Sequence, residues 1–180
     1  MTVKVRIDEI KEKGLVLDAE EAIAAFDPLV QIQDEGECQF LAPLTIHLDI
    51  KKEYNHVRVS GELATILRMV CSCCLAEFDF PLESRFTVFY IREGAIPQDE
   101  EVELSGEDLI SATYSGDEID LTPEIVEQVL LDIPLKPLCK EDCRGLCPTC
   151  GFDLNVAECG CDREKYNLKF NVLKNFKVDR

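Results

Sequence analysis

Apolar and polar residues alternate over most of the first half of the chain, a pattern typical of β-strands with one buried face. After the turn-like KKEYNH the alternation resumes, so the two runs predict a long hairpin. Shorter alternating runs cover Val3–Ile7, Phe78–Leu82 and Phe86–Tyr90. Together these runs predict an antiparallel β-sheet or open barrel. The apolar positions of the hairpin are Phe40, Ala42, Leu44, Ile46, Leu48, Ile50, Val57, Val59, Leu63 and Leu67.

Helical signals are fewer and come in three places. AEEAIAAFDPL from Ala19 is the only early stretch with helical character, and Pro28 is expected to limit its length. A second helix is predicted from Thr122, as N-cap, with Pro123 in the first turn and Pro134 ending it. Its apolar face comprises Val126, Val129, Leu130 and Ile133, and NLKFNVLKNF predicts a short C-terminal helix with Leu168, Val172, Leu173 and Phe176 on one face.

These elements predict an α+β protein of one globular body with a small addition, since 180 residues suffice for one ordinary domain. We expect a β-rich core block over 1–97 and an acidic linker or loop over 98–118. The remainder, 119–180, would hold a helix, a cysteine-rich zinc-binding module and a basic C-terminal helix. Residues 92–132 carry 13 acidic side chains against Arg92 alone, which suits a solvated linker or a docking surface for a cationic partner.

The net charge of −17 limits the classes of partner. Such a chain repels polyphosphate over most of its surface, so DNA binding is not expected and RNA contact would need a local basic patch. A basic protein is the easier partner. We expect no membrane association, because no run approaches about 18 uncharged apolar residues. The charged opening lacks a secretory h-region, so a cytoplasmic location is expected. The candidate RNA-contact residues are Lys165, Lys169, Lys174 and Lys177.

Ten cysteines are the most informative feature of the composition. Six of them fall in CKEDCRGLCPTCGFDLNVAECGC, where buried apolar residues are too few to fold the segment without a metal. Cys147 and Cys150 form C-P-T-C-G, a turn in which two thiolates can bind one ion. Spacing does not select the other two ligands of a structural zinc site. After that pair the order of preference is Cys159 and Cys161, then Cys143 as the nearest substitute, and Cys139.

A second cysteine group, V-C-S-C-C-L, lies between two predicted strands. Cys71 and Cys74 have the spacing of a zinc knuckle or of a redox pair. Three interpretations stay open at this point: half of a second metal site completed by Cys139 and Cys143, thiols without metal at a turn, or a dithiol catalyst. The isolated Cys38 is predicted to lie in the core.

Enzymatic chemistry finds little support in the sequence. His47 and His56 are the only histidines, both in or beside the predicted hairpin, and neither has a nucleophile or acid at a catalytic spacing. Both are expected at the surface. There is no Gly-rich phosphate loop and no G-x-S-x-G. We therefore expect a protein that is not an enzyme, with a thiol redox protein or sensor using Cys71 and Cys74 as the alternative.

The chain resembles the YceD family, the large ribosomal RNA subunit accumulation proteins. The resemblance rests on CSCCLAEFDFPL, on the run from Ile119 to Pro134, and on CRGLCPTCGFDLN followed by the Cys159 and Cys161 pair. It implies a ribosome-biogenesis role in the accumulation or processing of large-subunit ribosomal RNA. The implied partners are that RNA or a basic ribosomal protein.

Overall fold

A six-stranded sheet forms the body of the protein. The computed structural model describes residues 3–54, 56–94 and 111–161. The strands are β2 (Leu15–Glu21), β3 (Gln39–Phe40), β4 (Leu44–Lys52), β5 (His56–Val70), β6 (Glu77–Arg92) and β7 (Ser111–Tyr114). Their order in the sheet is β2-β4-β5-β6-β7, and the short β3 also pairs with β5. Every pair is antiparallel except the parallel pair β6–β7.

The hairpin of β5 and β6 is the longest unit of the sheet and ends at the cysteine turn. Odd-numbered residues of β5 face the core from Val57 to Met69, and Cys71 continues that period with 0% exposure. Gly61 is required within this hairpin by packing, since a Cβ there would lie 2.3 Å from the Phe86 ring. The period of the strand therefore carries the first cysteine of the turn into the protein interior.

Two helices, α1 (Asp27–Glu35) and α2 (Thr122–Asp132), complete the core. Leu29 of α1 and Ile125 of α2 are fully buried in the same cluster as the inner face of the sheet. Beside them, β1 (Lys4–Arg6) pairs with β8 (Glu118–Asp120) in a separate two-stranded sheet. The predicted class is confirmed: α and β elements combine, the sheet is mostly antiparallel, and the cysteine groups follow near the C-terminus.

The predicted hairpin is confirmed as β4–β5, but the two short strands after it are one strand, β6. The polar Ser84 interrupts the run of alternating apolar residues, which is why the pattern predicts two strands. Its side chain is nevertheless buried, at 3% exposure, so the alternation of buried and exposed positions continues through it. Pro81 is tolerated because, among the described residues, β6 pairs there with β5 alone and β7 pairs only with Phe89–Arg92.

Three local predictions were wrong. Ala19 lies in β2 rather than in a helix, and α1 begins at Asp27 with Pro28 in its first turn, where the missing N–H costs no helical hydrogen bond. Val5 belongs to the small sheet with β8, not to the main one. The hydroxyl of Thr122 does not cap its own helix, since it accepts a hydrogen bond from the Val3 backbone N–H at 2.9 Å.

The division into domains stays a prediction. Most of the predicted acidic linker and the whole predicted C-terminal helix lie outside the described residues, as do Lys165, Lys169, Lys174 and Lys177. The last residues of the 98–118 segment do include β7, which pairs with β6. Within the described ranges, no helix is both long and apolar enough to cross a membrane.

Candidate metal centre

Eight of the ten cysteines gather into two groups of four. In each group the four Sγ atoms lie within 4.8 Å of one another. The first group combines the turn between β5 and β6 with the loop after α2, and the second lies in the segment that follows. The first group is Cys71, Cys74, Cys139 and Cys143, and the second is Cys147, Cys150, Cys159 and Cys161.

The first group is assembled from distant parts of the chain. The Sγ of Cys71 lies 3.7 Å from that of Cys143, and the Sγ of Cys74 lies 3.7 Å from that of Cys139. Backbone hydrogen bonding joins the two parts, because the Ser72 N–H donates to the Pro137 carbonyl at 2.9 Å. The sheet therefore supplies half of the first group, and the chain leaving α2 supplies the rest.

The two C-x-x-C turns have the same backbone hydrogen bonds. The N–H of Cys71 donates to the carbonyl five residues later at 2.9 Å, and that of Cys147 does so at 2.8 Å. The carbonyl of each first cysteine accepts from the N–H four residues later, at Leu75 and at Gly151. Both of these residues are left-handed, with φ of 61° and 72°. Each turn therefore presents two thiols on one side, as metal knuckles do.

Backbone donors lower the pKa of one thiol in each group. Burial raises the pKa of Cys71, but N–H groups of its own turn and of Cys139 outweigh burial and bring it to about 6. The N–H groups of Cys150 and Thr149 likewise bring the pKa of Cys147 to about 6. One sulfur of each knuckle is therefore stabilised as a thiolate, the form that binds metals.

One other thiol in each group has a raised pKa. Burial and then the neighbouring Cys74 sulfur raise the pKa of Cys139 to about 12. The neighbouring sulfurs of Cys150 and Cys159, and then burial, raise the pKa of Cys161 to about 12. Four thiolates this close repel one another, so full ionisation requires a cation among them.

The two groups touch through the peptide that joins them. Gly145 has φ of +69°, and a Cβ there would lie 2.8 Å from the carbonyl oxygen of Cys73. The next N–H, of Leu146, donates to the same oxygen at 3.0 Å, and the Gly145 carbonyl accepts from the Leu154 N–H at 2.9 Å. The second group is thus seated directly on the turn of the first.

An asparagine between the two cysteine pairs of the second group also reaches the first group. The Asn155 Nδ2 donates to the Cys143 Sγ at 3.5 Å, and its Oδ1 accepts from the Arg144 N–H at 2.9 Å. Asp153 holds it in place by accepting from both its Nδ2 and its backbone N–H, at 2.8 and 2.9 Å. One side chain therefore contacts a thiol of one group while belonging to the loop of the other.

The groups differ in exposure, and this affects what chemistry they can carry. In the first, Cys71 is 0% and Cys74 is 7% exposed. In the second, Cys147 is 2% exposed but Cys150 is open to solvent. A buried thiolate is a poor nucleophile for an external disulfide, and neither group contains a histidine or carboxylate. Both arrangements suit a closed metal site better than an open catalytic one.

The structure brings together the cysteines that the sequence singled out and divides them in two. Cys143 lies in the first group rather than acting as a substitute in the second, and Cys139 joins it there. Metal binding by these residues stays a prediction. Cys38 is confirmed as a core residue at 5% exposure. His47 is at the surface beside Asp18, whereas the His56 side chain is only 16% exposed and is therefore mostly buried.

Sequence reasoning missed the residues that join the groups. The D-x-N spacing of Asp153 and Asn155 is a signal for a side chain that bonds its own backbone turn. Gly145, between two cysteines, was a signal for a close approach of two backbones. The contact of Asn155 with Cys143 required the folded arrangement, since the two residues belong to different groups.

Comparison with known proteins points to one family. Residues 59–177 match the family model described as Large ribosomal RNA subunit accumulation protein YceD. That range includes β5 from Val59 onward, the whole of β6 and both cysteine groups. No solved structure matches the chain.

Several curated proteins are similar to parts of the chain. One is the Arabidopsis thaliana protein named Large ribosomal RNA subunit accumulation protein YCED homolog 1, chloroplastic, at 24% identity over 75% of this chain and 49% of that protein. The Zea mays protein of the same name is 24% identical over 71% of this chain and 52% of that protein. An uncharacterized Mycobacterium tuberculosis protein is 32% identical over 63% of this chain and 52% of that protein. The chain spans about half the length of these relatives. Because the family model covers about two thirds of the sequence, the chain belongs to the YceD family.

Proposed function

We propose that this protein is a non-enzymatic ribosome-biogenesis factor that supports the accumulation or processing of large-subunit ribosomal RNA. Membership of the YceD family supports this role, since the family description and the names of the plant relatives refer to that RNA. In this proposal each group of four cysteines holds a structural zinc ion. The observation that carries the metal part is the convergence of two complete sets of four sulfurs.

The spacing of the sulfurs supports zinc. With Zn–S bonds of about 2.3 Å, the edge of a regular tetrahedron of sulfurs is about 3.8 Å. The two pairs in the first group, Cys71 with Cys143 and Cys74 with Cys139, are each separated by 3.7 Å. Four thiolates also favour zinc over the hard cations calcium and magnesium, which prefer oxygen.

The donor set supports a structural role for both ions. A catalytic zinc site keeps one position for water or substrate, whereas four cysteines fill a tetrahedral site completely. Between residues 139 and 161, all of which the structure describes, Cys147 and Leu154 are the only buried side chains, and the one other buried residue is Gly145. So small an apolar contribution cannot fold this segment, and the metals supply the missing stabilisation.

Charge supports a basic protein as the direct partner. A chain of net charge −17 attracts a cationic ribosomal protein and repels an RNA backbone. The C-terminal lysines at 165, 169, 174 and 177 are the candidates for local RNA contact. In this proposal the protein acts in the cytoplasm.

Depletion of the protein tests the biological role. We expect fewer large subunits and less large-subunit RNA in a depleted strain, with recovery on expression of the wild-type chain. Sucrose-gradient profiles and quantified ribosomal RNA provide the measurement. Unchanged subunit profiles after full depletion would contradict the proposal.

Zinc stoichiometry tests the metal part separately, and the turn offers a matched pair of variants. Cys74 belongs to the first group, whereas Cys73 beside it belongs to neither. We expect two zinc ions per chain for the wild type and for Cys73→Ser, and one for Cys74→Ser. Elemental analysis of protein purified under reducing conditions without a metal-affinity tag gives the count. Equal zinc content in both variants would refute the assignment.

A thiol redox function is the second candidate, and the pKa of about 6 at Cys71 favours it. Its burial opposes this function, because a substrate disulfide must reach the sulfur. The redox hypothesis predicts that Cys71→Ser abolishes thiol reactivity while a Cys150→Ser variant retains it. If Cys71→Ser leaves both reactivity and complementation intact, the redox hypothesis is wrong.

A further inference from the structure

The two cysteine groups are separated by only three residues, and hydrogen bonds hold that connection in place. Arg144, Gly145 and Leu146 link Cys143 of the first group to Cys147 of the second. The Arg144 N–H and the Gly145 carbonyl bond to the loop of the second group, and the Leu146 N–H bonds to the turn of the first. A change in either group therefore acts on the backbone next to the other.

Asn155 uses both of its side-chain donors and its side-chain oxygen at this connection. Its two amide hydrogens point to the Cys143 Sγ and the Asp153 Oδ1, and its oxygen accepts the Arg144 N–H. The opposite orientation of the amide would place its oxygen against the Asp153 carboxylate and its NH₂ against a donor. The chemistry of its neighbours therefore fixes which atom faces the sulfur.

We propose that Asn155 is a positioning residue that couples the two metal sites. The inference rests on the proposed metal binding. The amide donates to the sulfur of Cys143, which stabilises that sulfur as a metal-bound thiolate and fixes its direction. The loop carrying Asn155 is closed by Cys150 on one side and Cys159 on the other, so a metal in the second group keeps the donor in place.

The coupling works in both directions. Loss of the metal from the second group opens that loop, and the first group then loses the amide donor at Cys143. Because linkage between binding sites is reciprocal, loss of the first metal weakens the second by the same factor. The second group includes the exposed Cys150, so we expect its metal to leave first and release of the first metal to follow.

Cadmium serves as the probe, because each of the two sulfur sites gives its own NMR resonance. We compare Asn155→Ala and Asn155→Asp with the wild type, both as cadmium NMR spectra and as the rate of metal release to an excess of chelator. The Asp variant keeps the size of the side chain but replaces the N–H donor by a carboxylate. Loss of such an outer hydrogen bond weakens a site by about 10- to 100-fold, so we expect release from the first group to be faster by about that factor. The resonance of the first group should also shift.

Arg144→Gln is the matched control. It breaks the surface ion pair of Arg144 with Glu158, whose atoms are 2.6 Å apart, but keeps the backbone N–H that bonds Asn155. Exposed ion pairs contribute little, so metal release should stay within about twofold of the wild type. Circular dichroism checks that all variants retain the sheet.

A double variant, Cys159→Ser with Cys161→Ser, tests the coupling itself. Removing the second site should speed metal release from the first site when Asn155 is present and add little in the Asn155→Ala background. Additive effects would overturn the coupling, as would release from the first site within about twofold of the wild type in both Asn155 variants. A wild-type chain that binds no metal would instead overturn the proposed metal sites. A chain with two metals and no Asn155 effect would overturn the coupling alone.

Discussion

Replacing Gly145 by alanine should detach the second cysteine group from the first. The glycine is left-handed, with φ of +69°, and an added Cβ would lie 2.8 Å from the Cys73 carbonyl oxygen. That conformation costs an L-residue about 1–2 kcal/mol. Moving the backbone away to relieve the contact breaks the 3.0 Å hydrogen bond from Leu146 to the same oxygen, which contributes about 1 kcal/mol. The docked arrangement should therefore lose about 2–3 kcal/mol.

Amide hydrogen exchange at Leu146 measures this loss locally. Since 1.4 kcal/mol corresponds to a factor of ten, exchange in Gly145→Ala should be about 30- to 150-fold faster than in the wild type. Gly116→Ala is the control, because Gly116 has φ of +78° and no atom within 4 Å of an added Cβ. It carries the same backbone strain in a distant turn and should leave exchange at Leu146 unchanged. Equal exchange in the two variants would refute the close contact as the cause.

Three further predictions concern the metals, the sheet and a surface pair. Chelation should release the cysteine segment from the β5–β6 turn but leave the far-ultraviolet circular dichroism of the sheet nearly unchanged. The reason is that none of the eight grouped cysteines belongs to the main apolar core. Loss of the sheet signal would refute this prediction. Gly61→Ala should destabilise the protein by about 1–3 kcal/mol in denaturant titrations through collision with the Phe86 ring, and Phe86→Leu in the same chain should restore part of it. The hydrogen bond to Asp18 raises the pKa of His47, so this pair stabilises the fold fully below the ordinary histidine pKa of about 6.5 and loses that effect as the pH rises through the raised pKa. Asp18→Asn should lower the pKa of His47 measured by NMR, and an unchanged pKa would contradict the pairing.

The period of the strands made much of the sheet predictable. Alternation identified β4 and β5 because both bury one face, and it broke down where a polar residue, Ser84, occupies a buried position of β6. Partners of isolated strands were not predictable, because Val5 alternates in the same way whether it pairs with the main sheet or with β8. Pro28 was misread since proline both ends helices and begins them.

The candidate site was predictable in its chemistry but not in its grouping. Thiols at C-x-x-C spacing indicate a metal knuckle from local sequence alone. The path of the chain after α2 decides which knuckle is completed by Cys139 and Cys143. Tertiary contacts fix that path, among them the hydrogen bond from the Ser72 N–H to the Pro137 carbonyl. Asn155 could not be identified as a thiol's neighbour until the two groups were placed side by side.

The position of the first group explains how a weakly buried segment acquires a fixed place. Two of its cysteines lie in the turn of the longest hairpin, whose 15 paired residues on β5 define that turn before any metal is considered. The chain after α2 then supplies only two further thiols, and the three residues beyond Cys143 are held by the Cys73 carbonyl and by Asn155. The sheet therefore determines where the first cysteine group forms, and the first group determines where the second can fold. An acidic protein thereby presents a compact cysteine module at one end of its longest hairpin, an arrangement that suits the binding role proposed above.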